Sequence, residues 1–129
     1  MRNFLDWFPS QVDQYEDLLT NNPIWLQRTQ GVGAVPVEDL LDLGVTGPMI
    51  RAAGIPWDIR KSEPYSSYEK FDFEVPVRAA GDVYARYQVR MEEMRQSTRL
   101  AGQALEGMPE GPYQADAPKV VLPDREKMK

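Results

Sequence analysis

Val83–Glu106 reads VYARYQVRMEEMRQSTRLAGQALE, and its periodicity decides the fold class. Tyr84, Tyr87, Met91, Met94, Thr98, Ala101, Leu105 and Met108 recur at alternating separations of three and four. That is the repeat of one helical face, sustained for about seven turns, and it reads as a helix-packing seam rather than a cofactor box. Asp82, with Gly81 before it, is a good N-cap for the run. The other faces carry Arg86, Arg90, Glu92, Glu93, Arg95 and Arg99, which are assigned to a solvated or partner-facing surface. Met94 is therefore expected in the core. Glu93, about 100° round the helix, is expected to be dispensable for stability.

Upstream of this helix, Phe71, Phe73 and Val75 alternate with Asp72, Glu74 and Pro76. The period is that of a half-buried strand, restricted by Pro76 to an edge, with 32–36 or 119–122 as candidate partners. Gly44–Tyr65, GVTGPMIRAAGIPWDIRKSEPY, holds three glycines and three prolines, which does not suit one long element. Gly44 can cap a preceding helix in a left-handed conformation. Pro48 can open a short helix that Gly54 ends, with Pro56 beyond it. An extended arm through Trp57 then follows, in which Asp58, Arg60 and Lys61 alternate with Trp57 and Ile59. Val37–Leu43 reads as a short helix with Val37, Leu40, Leu41 and Leu43 on the core. Glu38 and Asp39 suit its N-terminus. With Asp42 they could be imagined as metal ligands, but adjacent acids point apart on a helix.

Residues 4–20 form an amphipathic pattern, with Leu5, Phe8, Val12, Tyr15 and Leu19 on one face. Pro9 should kink this helix or mark a late start. No clear N-cap precedes it, so it is expected to begin upstream of Met1. Asn21-Asn22-Pro23 stops it. Gly31-Val-Gly33-Ala-Val-Pro36 begins like a dinucleotide fingerprint but lacks the third glycine and a preceding strand, and reads as loop. The first and last long helices are expected to pack antiparallel, with Tyr87, Met91 and Met94 pressed against Phe8, Val12, Tyr15 and Leu19. The expected fold is thus mainly α: an irregular helical domain with two long packed helices, short helices and at most a small edge-strand pair. Residues 1–108 form the helical segment. Residues 109–129, rich in proline and with Val120–Leu122 as the sole apolar knot, are expected to be an extended tail that docks elsewhere in a larger protein.

The chain has 129 residues, 42% hydrophobic and 27% charged, enough for one modest core. Cysteine and histidine are both absent. Disulfides, zinc ribbons, iron–sulfur ligation, haem-histidine sites and Ser-His-Asp or Cys-His catalysis within these residues are thereby excluded. The net charge of −5 argues against a nucleic-acid surface. No apolar run approaches the length of a spanning helix, and the N-terminus lacks the features of a signal peptide.

The loop and the long helix together closely resemble the large, hydrogenase-like subunit in the quinone module of proton-pumping NADH:quinone oxidoreductase, respiratory complex I. The residues that carry the resemblance begin with Gly44-Val-Thr-Gly-Pro-Met49, Arg51, Gly54, Trp57-Asp58, Arg60-Lys61 and Pro64-Tyr65. They continue with Phe73, Val75-Pro76, Gly81-Asp82, Arg86-Tyr87, Arg90 and Glu92-Glu-Met-Arg-Gln-Ser97. Asn21-Asn22 and Met128-Lys129 also fit. Arg78 departs from the pattern: the family usually has glycine there, in the turn before Gly81-Asp82.

The resemblance covers essentially the whole chain and implies an internal fragment from the central helical region of that large subunit. It implies docking on the subunit that carries the terminal iron–sulfur cluster, with quinone reduced in the cavity between the two. NADH and quinone would be used by the whole complex, at the cytoplasmic or matrix face of the energy-transducing membrane. The family's quinone-contacting histidine and tyrosine lie upstream of this stretch. No catalytic, cofactor-binding or metal-binding residue is therefore assigned here, and the isolated chain is expected to be inactive and to self-associate. Two alternatives stand beside this reading: the large subunit of a membrane-bound nickel–iron hydrogenase, and a free-standing helical interaction module.

Overall fold

Side-chain caps start the longest helix and two of the short ones. The computed structural model describes residues 1–112, 114, 116 and 125–128. Six α-helices form among them: α1 (Arg2–Leu19), α2 (Pro23–Thr29), α3 (Val37–Asp42), α4 (Pro48–Ala52), α5 (Ile59–Ser62) and α6 (Val83–Glu106). Short 3-10 turns lie at Tyr68–Lys70 and Arg125–Met128. No strand forms among the described residues.

Asp82 starts α6 as expected: its carboxylate accepts from Ala85 N at 2.7 Å, satisfying a first-turn donor. The same side chain, buried at 6% exposure, also accepts from Gly31 N at 2.7 Å. Val83 N donates to Val32 O, and Arg86 reaches Gly33 O and Gly81 O. The loop after α2 is thus pinned across the start of α6. Asn22 caps α2 by accepting from Ile24 N and Trp25 N, with Pro23 in the first turn, where its missing N–H is harmless.

α1 and α6 pack antiparallel. Tyr87 Oη lies 3.0 Å from Thr20 Oγ1, and Tyr84 Oη donates to Thr20 O at the end of α1. Arg95 binds Asp13 and Glu16 at mid-height. Leu5 and Phe8 lie beside Met94, Thr98 and Ala101 at the other end. Val12 is fully buried, and Leu5, Phe8 and Leu19 are half-buried. Tyr15 departs from the expected face and is 46% exposed. The α6-facing position at that turn belongs to Glu16, which is drawn in by Arg95. Pro9 lies inside α1 without delaying its start.

A second face of α6 is packed as well. Ala85 and Val89, four apart, close a fully apolar cluster with Ala52 of α4. Their small side chains let the two helices approach. At the far end Met108 is 61% exposed, so the seam stops short of it. In α3 only Leu40 is buried; Leu41 and Leu43 are 55% and 77% exposed. A six-residue helix lays one position squarely on the core, and Leu43 already sits at the C-cap. Gly44, at φ 64°, then turns the chain so that Val45 N bonds Leu40 O at 2.8 Å.

The expected edge strand is a single extended segment. Phe71, Phe73 and Val75 do turn inward while Asp72 and Glu74 stay exposed, but Pro76 is buried. Candidate partner 32–36 instead meets the start of α6, and 119–122 lies outside the described residues. Glutamine side chains replace the missing strand. Gln103 accepts from Asp72 N at 2.9 Å and donates to Asp72 O at 2.6 Å, as a paired peptide unit would. Gln96 accepts from Glu74 N at 3.0 Å. Pro76 lies in phase with Asp72 and Glu74 and has no N–H to offer, so the row of donors to the glutamines ends at Glu74.

Candidate functional site

The glycine- and proline-rich loop converges on one buried arginine. Gly47 adopts φ 71° and ψ −150°, a conformation essentially reserved for glycine, and hands the chain to Pro48 at the first turn of α4. α4 ends at Ala52, and Gly54, at φ 106°, reverses the chain. This one-turn helix is long enough to aim Arg51 inward, where it is only 6% exposed.

Arg51 Nη1 donates to Trp57 O at 3.1 Å and lies 3.8 Å from Asp58 Oδ2. Arg51 Nη2 binds the Glu93 carboxylate of α6. Asp58, 5% exposed, accepts from Arg60 N at 3.0 Å, from Arg60 Nε at 2.9 Å and from Arg60 Nη2 at 2.6 Å. The guanidinium of Arg60 lies over Phe73, 4.9 Å from the ring centroid, and 5.8 Å from that of Tyr68. Lys61 Nζ adds a second cation 4.3 Å from the Phe73 centroid. Two arginines and two carboxylates therefore form a neutral, mostly buried cluster joining α4, the following loop, the extended segment and α6.

Mutual hydrogen bonds favour the charged forms of Asp58 and Arg60. The hydrogen bonds from Arg60 hold the Asp58 carboxyl below its usual range, against burial, which opposes ionisation. The Asp58 hydrogen bonds raise Arg60 correspondingly. Asp58 thereby ties Arg60 back toward Arg51, and Arg51 carries the link on to Glu93 of α6, so the arrangement braces the loop. Beside it lies an open cleft of about 400 Å³, lined by Arg60, Tyr68, Phe71, Ser97, Leu100 and Ala104 among others.

The loop differs from its sequence reading in one respect. The extended arm ends at Trp57, because Asp58 N-caps the four-residue α5. Trp57 and Ile59 stay 39% and 46% exposed, while Arg60 and Lys61 both turn back to Phe73. Glu38, Asp39 and Asp42 are all exposed, and no group of acids placed to hold a metal occurs among the described residues. Glu93, assigned to the outer surface, proves to be the partner of Arg51, with only 21% of its side chain exposed. Its position beyond the Met/Tyr stripe hid it; a carboxylate at that height opposite an arginine on a one-turn helix was the only clue. Arg78 is accommodated without a left-handed backbone: its N–H bonds Arg51 O at 2.9 Å, and Gly81, at φ 65°, makes the turn instead.

What the geometry defines is a helical segment built around a buried ion-pair brace. Comparison with known proteins places it: the chain belongs to the family described as the respiratory-chain NADH dehydrogenase 49 Kd subunit, whose model matches residues 1–129. It is 67% identical to the first of the numbered D-type subunits of NADH-quinone oxidoreductase in Solibacter usitatus, over 100% of this chain and 32% of that protein. It is 58% identical to the second such D-type subunit in Koribacter versatilis, again over 100% of this chain and 32% of the relative. The D-type subunit of the Geotalea uraniireducens enzyme is 48% identical over 99% of this chain and 33% of its own length. The chain thus spans about a third of the length of the curated relatives it matches.

Proposed function

We propose that this chain is the structural and partner-binding part of a quinone-reducing subunit of an NADH:quinone oxidoreductase, the complex that couples electron transfer from NADH to quinone. One observation carries the reading. Arg51, Asp58, Arg60, Phe73 and Glu93, all within the stretches that carry the family resemblance, meet in the brace that fixes the central loop on α6. In this reading the chain supplies no catalytic, cofactor-binding or metal-binding residue. Residues 1–108 act as a helical platform, and 109–129 as a tail docking on other parts of a longer protein. Other subunits of the complex, chiefly the one carrying the terminal iron–sulfur cluster, are its partners. The location is peripheral, at the cytoplasmic or matrix face of the energy-transducing membrane; among the described residues no helix is long and apolar enough to cross it.

The test replaces the matched stretch of the Solibacter usitatus relative by residues 1–129 and measures NADH:quinone oxidoreductase activity in membranes. Retained activity in the hybrid, and loss of assembled enzyme on Arg51→Ala, are expected. NADH oxidation by the 129-residue chain alone, or stoichiometric iron, nickel or flavin in it, would overturn the assignment.

A further inference from the structure

We draw no further inference here: the strongest candidate, the open cleft of about 400 Å³ between the turn at 66–71 and residues 97–104 of α6, carries nothing, because in a chain spanning about a third of its relatives' length nothing in the structure shows what covers it.

Discussion

Replacing Glu93 by alanine should destabilise the fold more than truncating its neighbour Met94. Arg51 is 6% exposed, and its Nε already lacks a hydrogen-bond partner. Loss of the Glu93 carboxylate would leave Nη2 unpaired too, with only Asp58, 3.8 Å from Nη1, to offset the charge. Breaking a buried pair from one side costs about 3–5 kcal/mol. The 21% exposure of the Glu93 side chain admits water, which lowers the expected loss to about 2–4 kcal/mol. Met94 is half-buried and already borders a cleft of about 290 Å³ between α1 and α6, so Met94→Ala should cost only about 1–2 kcal/mol. Urea unfolding followed by circular dichroism measures both, with exposed Arg90→Ala as reference. The combined change Arg51→Met with Glu93→Leu should recover much of the loss, since an apolar pair leaves no buried charge uncompensated. If Glu93→Ala stays within about 0.5 kcal/mol of the parent, or costs less than Met94→Ala, the brace is not what holds the loop.

Asp82→Ala removes acceptors from both Ala85 N and Gly31 N, and thermal unfolding should report a loss of about 2 kcal/mol. Gln103→Leu should cost about 0.5–1 kcal/mol overall but speed hydrogen exchange at the Asp72 amide. Acid titration follows from the lowered Asp58 pKa. A carboxyl depressed on folding contributes stability above its ordinary 3.8 and loses it as pH falls through the lower folded value. Stability attributable to Asp58 should therefore be flat near neutrality and fall only below about pH 4, and Asp58→Asn should flatten that fall.

Periodicity made the long helices legible. Seven turns of three-four spacing, opened by Asp82, left α6 little choice, and Gly44, Pro48 and Gly54 marked the short helices between them. Contacts made by polar side chains were harder to see. Ala85 and Val89 lie off the large-residue stripe, so the α4-facing side of α6 carries too little apolar bulk to announce itself. Glu93 resembles any solvated glutamate until Arg51 is placed opposite, and that placement depends on a glycine-governed turn at Gly47 rather than on any pattern. Alternation at Phe71–Val75 correctly gave an extended backbone with an inward face. It could not show that glutamines, not a strand, would complete the pairing. Tyr15 shows the converse: its spacing suited the seam, but an ion pair took the place through Glu16.

The glutamine pairing also dictates where the chain can change length. Gln96 and Gln103 lie seven residues apart, two turns of α6, and so stand in one row facing Asp72 and Glu74. Inserting one residue between them would swing one amide about 100° out of that row. Inserting one between Asp72 and Glu74 would point a side chain where a peptide group belongs, and would carry Phe73 out of the core. Insertions and deletions should therefore be purged from 71–77 and from the matching turns of α6. The exposed bend at Ser66–Ser67, whose left-handed residues bond nothing distant, should tolerate added or dropped residues instead.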